Sequence, residues 1–462
     1  MLLTLKTRVF TDATGAYTEV PAILTPVGWL MPLVDYFLEH RNARSRTWML
    51  KVARSVALFL EYLAANPAQQ NPRDVFVNFG LRLYTGTFDM ESGLDPSWLC
   101  WGPMSQVEAA KTIRRLSDFF EWLGKSRPAA AQINPKYIGS AYDRTVDEAA
   151  YQFRREKAFL GHGWSPHLDP EKGNKGYLFR GSRPPKVERG DPPAFPEDRF
   201  IEFLFEGFKV GGELNYRDIC ITLLLHGAGF RASEPFHLYF GDVFPDPSNP
   251  GQAMVLIHHP SQGEAPGDWF DERGKPRKGN RAAYLAQNYG LSPRNLLLDS
   301  RAAGWKGGTH DAKYYKRAYW FIPEFGELFL KCWGLYLQRA VQASCKSHPF
   351  AFINLSQEPK GGMYCLAQYN KAHSRACERI GLTVGKDLGT TPHGHRHAYG
   401  RRLVGGKVSR EMIRRFMHHA DLDSQEVYTT PTTEEMIEEL RAGVERMNVS
   451  LLQKSIRKLE IL

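Results

Sequence analysis

Residues 391–400, TPHGHRHAYG, place three histidines, His393, His395 and His397, within five positions, and residues 416–430, FMHHADLDSQEVYTT, add two adjacent histidines and a tyrosine. Histidines at alternating positions of one helix point in different directions, so these three cannot bind one metal ion together. Neither a cysteine nor a carboxylate stands at ligand spacing beside them. The stretch therefore predicts no metal site, and we expect the protein to use no metal or other cofactor.

The same stretch predicts the start of a helix. Thr391 suits the N-cap and Pro392 the first turn, and the helix should end at Gly405–Gly406. On that helix His393 and Arg396 are three positions apart, so both lie on one face at the helix start, where the backbone N–H groups favour a phosphate. We therefore interpret the stretch as one part of a site whose other residues come from elsewhere in the chain.

The composition indicates a basic protein of more than one domain. The chain has 462 residues, 42% of them hydrophobic, which suggests two or three domains with ample cores. Its net charge is +10 and its pI about 9.2, a balance that favours a polyanionic partner, with nucleic acid first and an anionic membrane surface second.

The sequence also indicates the cellular compartment of the protein. The six cysteines show no C-x-x-C spacing, which favours reduced, mostly buried thiols. Residues 1–15 lack the apolar segment of a signal peptide, and no apolar run reaches the roughly 20 residues of a membrane helix. We therefore expect a soluble protein in the cytoplasm, associated with the nucleoid if its partner is DNA.

The pattern along the chain predicts a mainly α fold with a small antiparallel β-sheet (α+β). Residues 1–29 alternate in places and predict an N-terminal arm or short strand, and residues 30–160 carry helical patterns. Paired prolines break regular structure in residues 161–197, which we take as a linker. Residues 198–462 should form the second domain, including a C-terminal helical tail.

Two helices of the first domain are predicted to be amphipathic, over residues 46–66 and 106–125. The expected apolar stripe of the first is Leu50, Ala53, Ala57, Leu60 and Leu63, and that of the second is Val107, Ala110, Ile113, Leu116, Phe120 and Leu123. Their opposite faces carry five candidate DNA-binding residues, Lys51, Arg54, Lys111, Arg114 and Arg115. For any one of these side chains, an ordinary solvated face is the alternative.

The second domain should contain a buried helix followed by a glycine-containing turn and a second helix that starts near Ser233. Residues 253–260 predict a strand, and residues 304–325 predict a β-hairpin because β-favouring aromatics flank a turn-rich centre. Residues 261–304 show little periodicity and read as an insertion.

Three segments of the second domain contain polar residues whose order along the chain can be compared with that of known enzymes. Residues 229–243, GFRASEPFHLYFGDV, contain Arg231; residues 393–396, HGHR, contain His393 and Arg396; and residues 418–428, HHADLDSQEVY, end on Tyr428, nine positions after His419. This order resembles the tyrosine recombinases, or phage integrases, which show an Arg in a G-x-R-x-S/T-E turn, a hairpin Lys, H-x-x-R, a His or Trp, and a Tyr.

The resemblance assigns further positions. It puts Glu234 and Asp242 at the acidic positions that accompany the first arginine, and it places His418 where the family usually has glycine. The family's lysine lies at the turn between two strands, for which Lys306 in GWKGG fits best and Lys313 is the rival. By motif the resemblance covers roughly residues 195–435, with a helical core-binding DNA clamp before it.

The chemistry of these residue types agrees with that resemblance. Cleaving a phosphodiester without metal requires stabilisation of charge at phosphorus, and two guanidiniums offer paired donors whose charge is permanent. A tyrosine hydroxyl can act as nucleophile, a lysine can protonate the 5′-oxygen that leaves, and histidines can bond the phosphate or take the tyrosine proton.

The resemblance implies a site-specific DNA recombinase or integrase that cleaves and rejoins double-stranded DNA through a 3′-phosphotyrosyl intermediate, as a homotetramer, for a mobile element. The alternatives are a type IB topoisomerase-like enzyme, a catalytically idle DNA-binding regulator on the same fold, and a metal hydrolase. A covalent protein–DNA adduct separates the recombinase and the topoisomerase-like enzyme from the idle regulator, and sensitivity to EDTA identifies the metal hydrolase.

Overall fold

The protein divides into two compact units, Met1–Lys186 and Val187–Leu462. The computed structural model describes residues 2–15, 17–68, 71–89, 91–136, 141–157, 165–167, 176–181, 193–311, 314–343 and 347–420. Helices predominate in these ranges and the sheets are small and antiparallel, which confirms the predicted fold class. Within the described residues, no helix combines the length and the apolar character needed to cross a bilayer.

The first unit opens with a three-stranded antiparallel sheet in the order β1-β2-β3. Its strands are β1 (Leu3–Phe10), β2 (Tyr17–Thr25) and β3 (Gly28–Trp29). The predicted N-terminal arm is therefore a folded sheet. Its central strand contributes Val20, Ala22 and Ile23 to the same hydrophobic core as the helices that follow.

The described residues of the first unit contain six helices after this sheet, and side-chain caps start three of them. They are α1 (Met31–His40), α2 (Arg46–Ala65), α3 (Pro72–Thr85), α4 (Gln106–Gly124), α5 (Pro128–Ala131) and α6 (Ala141–Lys157). The caps are Ser45, Asn71 and Ser105, whose side-chain oxygens accept bonds from backbone N–H groups in the first turns of α2, α3 and α4.

The apolar face of α2 was predicted wrongly. The buried face consists of Met49, Val52, Ala53, Val56, Phe59 and Tyr62, of which only Ala53 was in the predicted stripe. Leu50 and Leu63 are exposed instead, by 38% and 36%. The helix carries two overlapping apolar stripes, and the one with aromatic rings is buried because Phe59 packs edge-on against Phe76, Phe79 and Phe120 of the neighbouring helices.

The apolar face of α4 was predicted more closely. Ile113, Leu116 and Phe120 are buried, whereas Val107 is 45% exposed. Val107 lies in the first turn of the helix, and Ala109 is the buried residue there.

The second unit is built around one central helix, α8. The unit begins with α7 (Phe200–Glu202), a π-helical turn (Phe203–Gly207) and the short hairpin β4 (Lys209–Val210) and β5 (Glu213–Leu214). In α8 (Tyr216–Ala228) every residue from Asp218 to Ala228 is buried. Such a helix needs cover on all sides, and α10 (Pro323–Ala343), α11 (Leu366–Arg379) and α12 (Pro392–Gly405) pack against it.

The sheet of the second unit corrects two predictions. Its strands β6 (Val243–Asp246), β7 (Asn249–His258) and β8 (Tyr315–Arg317) pair in that order, and β7 includes most of the strand predicted at residues 253–260. Among the described residues of 304–325 the predicted hairpin does not form, because the strand found there, β8, pairs with β7. The helix expected near Ser233 is a single 3₁₀ turn, Glu234–His237.

The insertion, residues 261–304, is folded rather than irregular. It contains α9 (Arg281–Tyr289), and its Trp269, Tyr284 and Leu285 form a small core with Tyr239 and Phe350. Two of these five aromatic or apolar residues lie far away in the chain, so a local sequence pattern cannot reveal that core.

A buried ion pair fastens the insertion to the rest of the unit. The guanidinium of Arg281 donates two bonds to the carboxylate of Asp242, one of them 2.9 Å long, and stacks 4.0 Å from the Tyr239 ring centroid. Arg281 is 2% exposed and Asp242 7%. Asp242 also accepts from the backbone N–H of Tyr239.

Replacing Arg281 by alanine should destabilise the second unit, because it leaves the buried carboxylate of Asp242 without the guanidinium that pairs with it. We expect the free energy of unfolding to fall by about 3–5 kcal/mol. Urea unfolding followed by tryptophan fluorescence measures the change. Arg273→Ala, at an exposed position of the same insertion, is the control and should stay within about 0.5 kcal/mol of wild type. Equal midpoints for both variants would rule out the anchoring role.

Candidate functional site

The turn after α8 positions Arg231. The helix ends on Gly229, whose φ of +69° is the left-handed conformation, and a Cβ at this residue would overlap the ring of Tyr399. After this turn, the backbone N–H of Arg231 donates to Glu234 Oε2 at 2.8 Å, and its Nη1 donates to Glu234 Oε1 at 3.0 Å. Arg231 thus has one edge fixed and a side chain that is still 18% exposed.

Glu234 is a buried carboxylate surrounded by cations. It is 1% exposed, and its Oε1 also accepts from Lys316 Nζ at 2.7 Å. Burial alone would raise the pKa of Glu234, but Lys316, Arg231 and Arg396 hold that pKa well below its usual value. The carboxylate therefore stays charged and binds two cations from different segments of the chain.

Lys316 was missed by the sequence analysis. It lies in β8 with no exposed surface, and its Nζ stands 4.4 Å from the centre of the Trp305 ring. Burial lowers the pKa of Lys316, and the charge of Glu234 partly offsets that effect. The available signal was the alternation along β8, which directs Lys316 to the face opposite that of Tyr315 and Arg317.

Arg396 connects the ends of two helices. It is 2% exposed, its Nη1 donates to the carbonyl of Gly229 and its Nη2 to the carbonyl of Met417 at 2.8 Å. Gly229 closes α8, and Met417 follows α13 (Arg410–Phe416). The second arginine therefore holds the turn of the first arginine next to the segment that contains His419.

The three histidines of residues 393–397 divide between two sides of α12, which begins at Pro392 as predicted. His393 is exposed and its ring centroid lies 4.4 Å from that of His397, whereas His395 is completely buried. Partial burial of this exposed side chain lowers the pKa of His393, and the nearby charges of Arg396, Arg231 and Lys306 lower it further. The imidazole that faces the site is therefore neutral near pH 7.

α13 starts at its Ser409 cap as its sequence suggests, and it ends in a left-handed turn at His418. The φ of His418 is +52°, a conformation that glycine adopts without strain, which explains why glycine suits this position. The ring of His418 stacks on Phe230 at 5.6 Å, and its Nε2 lies 3.7 Å from a carboxylate oxygen of Asp311.

The left-handed turn places His419 beside the arginines. Its backbone N–H donates to the carbonyl of Arg414 at 2.9 Å, and the residue is 4% exposed. Burial lowers the pKa of His419 to about 3, with further contributions from Arg396 and Arg231. His419 and His393 are therefore both neutral in a site whose positive charge resides on arginine and lysine.

The segment with Lys306 crosses the same site. The hydroxyl of Ser233 donates to the carbonyl of Gly304 at 2.6 Å, and that of Thr309 donates to the carbonyl of His419 at 3.3 Å. Gly308 approaches the His418 carbonyl so closely that a Cβ would overlap it. Lys306 is exposed between these attachments, and its charge contributes to the lowered pKa of both His393 and His419.

The structure brings five of the six predicted catalytic residues into one region: Arg231, Lys306, His393, Arg396 and His419. Tyr428, like the rival lysine Lys313, lies outside the described residues. Of the family's two acidic positions, Glu234 binds Arg231 within the site and Asp242 binds Arg281 away from it.

The five candidate DNA-binding residues of the first unit differ in their surroundings. Lys51, Arg54 and Lys111 are exposed. Arg114 is exposed but lies 3.5 Å from Asp118, and Arg115 is 13% exposed and donates to Glu108 at 2.9 Å.

Glu108 was not considered in the sequence analysis. Burial would raise its pKa, but the bond from Arg115 and the charges of Arg115, Lys111 and Lys51 lower that pKa overall. Lys51 of α2 and Lys111 of α4 are therefore both close enough to Glu108 for their charges to act on its carboxylate.

No family model matches the chain, and no curated protein does. The chain is similar in structure to solved recombinases and integrases. It matches XerA recombinase at 12% identity, over 90% of this chain and 97% of that one, with a TM-score of 0.34. It matches XerH site-specific recombinase bound to its difH substrate at 13% identity, over 86% and 95%, with a TM-score of 0.35. It matches the Tn1549 transposon integrase in complex with transposon right end DNA at 12% identity, over 86% and 99%, with a TM-score of 0.34. These are distant similarities, and the function has to be inferred from the residues of the site.

The buried neutral histidines should make the second unit sensitive to acid. Burial lowers the pKa of His419, His237 and His373 to about 3, and that of His226 and His348 to about 4. Unfolding returns each pKa to about 6.5, so between pH 6.5 and 4 the unfolded chain binds more protons than the folded one. The free energy of unfolding is therefore greatest above pH 6.5. It decreases as the pH is lowered below 6.5, by up to about 1.4 kcal/mol per pH unit for each such histidine.

Urea unfolding at pH 7.5, 6.0 and 5.0 measures this loss. Glu234 should not contribute to the loss in the folded state, because its lowered pKa keeps its carboxylate charged from pH 7.5 to 5.0. A midpoint that stayed constant from pH 7.5 to 5.0 would contradict the assignment of these histidines as buried and neutral.

Proposed function

We propose that this chain is a tyrosine recombinase: a site-specific DNA recombinase or integrase that cleaves and rejoins DNA through a 3′-phosphotyrosyl intermediate, without metal. One observation carries the proposal: Arg231 and Arg396 are 165 positions apart in the chain (396 − 231), yet both are fixed at the same turn. Arg231 is bonded to Glu234 and Arg396 to the carbonyl of Gly229. His393 and His419 lie close enough for the arginine charges to lower their pKa. Two permanent cations next to two neutral imidazoles suit a phosphodiester that gains charge during reaction.

The two arginines would bind the non-bridging oxygens of the phosphate. Glu234 fixes Arg231 through Nη1, and no bond to another described residue engages its Nε or Nη2, so these donors can face a ligand. Arg396 is held by two carbonyls, which fixes the plane of its guanidinium. Preorganised donors of this kind need no rearrangement when the charge on phosphorus increases.

The tyrosine supplies the nucleophile. In the proposed step the phenolic oxygen of Tyr428 attacks phosphorus, the bond from phosphorus to the 5′-oxygen breaks, and the phenolic proton passes to a base while the 5′-oxygen takes a proton from an acid. His393 and His419 are neutral and can accept the phenolic proton or bond the phosphate. Lys306 is the proposed acid, because it is the exposed lysine on the loop attached to Ser233 and His419.

The partners follow from this chemistry. Recombination needs two DNA sites held together, so we propose a homotetramer on double-stranded DNA in the cytoplasm, at the nucleoid, acting for a mobile element. The exposed Lys51, Arg54 and Lys111 of the first unit are proposed phosphate contacts. Arg114 and Arg115 are proposed as phosphate contacts too, although their side chains have less freedom to move because each is paired with a carboxylate.

Tyr428→Phe tests the proposal directly. On a nicked suicide substrate the wild-type protein should become covalently attached to DNA, and the phenylalanine variant should form no adduct while binding DNA with unchanged affinity. Adducts separated on denaturing gels give the readout. An equal yield of adduct from the variant would remove Tyr428 as nucleophile. Absence of adduct from wild type would favour an idle DNA-binding regulator, and relaxation of supercoils without any partner site would favour a topoisomerase.

Lysine variants test the general acid. A 5′-bridging phosphorothiolate leaves as a thiolate and needs no proton. The Lys306→Ala variant should therefore cleave normal DNA at least roughly 10²-fold more slowly than wild type. Its cleavage rate should recover on the phosphorothiolate substrate. Lys313→Ala should be close to wild type on both substrates.

Lys316→Met is the matched control for this experiment. It leaves Glu234 buried without its lysine, so it should be impaired on both substrates without recovery on sulfur. If the cleavage rate on the phosphorothiolate substrate recovers with Lys313→Ala or Lys316→Met in place of Lys306→Ala, the residue replaced in that variant is the general acid.

A further inference from the structure

Three buried histidines lie end to end beneath the first turns of α12. His226 of α8 and His395 of α12 face each other through their Nδ1 atoms at 3.2 Å, and His395 and His373 of α11 face each other through their Nε2 atoms at 2.8 Å. None of the three has exposed surface. Each contact joins two ring nitrogens, so in each pair one nitrogen must carry the hydrogen and the other must accept it.

Arg402 determines the direction at one end of this row. Its Nη1 lies 2.7 Å from His226 Nε2 and 2.6 Å from Glu197 Oε1. A guanidinium only donates and does not lose its proton in proteins, so His226 Nε2 must be the acceptor. Nη1 also lies 2.8 Å from Glu197 Oε2, so one of its hydrogens serves His226 Nε2 and the two oxygens of Glu197 share the other. The 3.3 Å separation of His226 Nε2 from Glu197 Oε2 is then a contact between two acceptors that share Arg402.

The tautomer of every other histidine follows from the first. His226 accepts at Nε2 and so carries its hydrogen on Nδ1, which donates to His395 Nδ1. His395 then carries its hydrogen on Nε2 and donates to His373 Nε2, so that His373 has its hydrogen on Nδ1. That hydrogen points to Cys377 Sγ at 3.8 Å, and the Cys377 thiol donates to the carbonyl of Thr390 at 3.7 Å.

We infer that Arg402, His226, His395, His373 and Cys377 form one directional hydrogen-bond chain, and that this chain positions the two arginines of the site. It runs from an obligate donor, Arg402, to an obligate acceptor, the Thr390 carbonyl, and satisfies every ring nitrogen on the way. It links α8, α11 and α12 at one level of the core.

The ends of the linked helices explain the positioning role. The α8 residue His226 stands five positions before Arg231, and the α12 residue His395 stands next to Arg396. The backbone ahead of α12 is attached as well, since Phe195 N–H donates to the Gly394 carbonyl at 3.0 Å and a Cβ on Gly394 would overlap Gly389. A shift of His395 relative to His226 therefore moves one arginine relative to the other.

The chain has no place for an additional proton. A hydrogen added to any of the three histidines reverses bonds towards the Arg402 end and sets His226 Nε2–H against the guanidinium at 2.7 Å. Beyond the chain, the charged or titratable groups of the described residues that face it are Glu197, which contacts His226, and Tyr369, whose ring centroid lies 6.0 Å from that of His373. The rings of Phe195 and Phe200 stack on His395 and His226. The row therefore stays neutral while Arg402 keeps its position.

The tautomers can be measured in the full-length protein without DNA. Proton–nitrogen correlation spectra of histidine-labelled, deuterated protein near pH 7 should give one tautomer at each site: hydrogen on Nδ1 of His226, on Nε2 of His395 and on Nδ1 of His373. Substitution of each histidine in turn assigns the signals. The opposite tautomer at any one of these histidines would overturn the proposal, and this result does not depend on whether the protein acts on DNA.

Variants at Arg402 test what sets the direction. Arg402→Gln provides an amide that can donate or accept, so the three signals should reverse or become mixtures. Arg402→Lys keeps an obligate donor and should retain the wild-type tautomers. Arg401→Gln, an exposed neighbour on the same helix, should leave them unchanged. Unchanged tautomers in Arg402→Gln would contradict the assigned source of direction.

The positioning role rests on the proposed DNA cleavage and has its own measurement. Single-turnover adduct formation at saturating DNA should be slowed about tenfold or more in Arg402→Gln, since small misplacement of catalytic groups is costly. DNA affinity should change less than about twofold, because ligand binding is dominated by phosphate contacts elsewhere. Arg402→Lys should recover most of the rate, and Arg401→Gln should match wild type.

The outcomes separate the two ideas. Wild-type tautomers as assigned without any adduct would reject the proposed function and keep the hydrogen-bond chain. Scrambled tautomers in Arg402→Gln with an undiminished cleavage rate would reject the positioning role and keep the function. If Arg402→Gln does not fold, the wild-type tautomers and the Arg402→Lys rate still decide.

Discussion

The buried carboxylate of Glu234 is the interaction on which the candidate site depends. It binds Arg231 through a backbone and a side-chain bond and binds Lys316 through Nζ, while the charge of Arg396 acts on it as well. Three cations from distant segments would repel one another in a buried region that held no anion. Glu234 therefore allows the turn after α8, strand β8 and helix α12 to converge, and it leaves a net positive site facing outward.

The same cations determine how the histidines behave. Because burial and the arginines lower the pKa of His393 and His419, both imidazoles are neutral near pH 7. The positive charge that would hold a phosphate then resides on guanidinium groups, which do not titrate in this range. The site thus separates two tasks: charge from arginine and lysine, and exchange of protons or hydrogen bonds through neutral rings.

Local signals in the sequence predicted the parts of this structure that depend on neighbouring residues. The start of α12 at Pro392 and the buried helix α8 both follow from residues within one or two turns. Lys316 and the core of the insertion did not, since each depends on partners such as Glu234 or Phe350 that are far away in the chain. The buried face of α2 failed for a related reason, because its aromatic stripe is selected by rings on other helices.

His418 shows how a departure from a local pattern can be offset by tertiary contacts. A residue with a Cβ in the left-handed conformation costs roughly 1–2 kcal/mol relative to glycine. In exchange, the imidazole stacks on Phe230 and lies 3.7 Å from Asp311, contacts that glycine cannot make. Asp311 in turn accepts from the backbone N–H of Arg317 in β8.

The turn at His418 and the loop that carries Lys306 are therefore held to one another from several directions. Thr309 donates to the His419 carbonyl, Gly308 lies against the His418 carbonyl, and Asp311 connects the end of the loop to both His418 and β8. A glycine at residue 418 would relax the backbone and remove one of these attachments. The cost in backbone strain thus contributes to holding the exposed lysine near His393 and His419, where its charge acts on both rings.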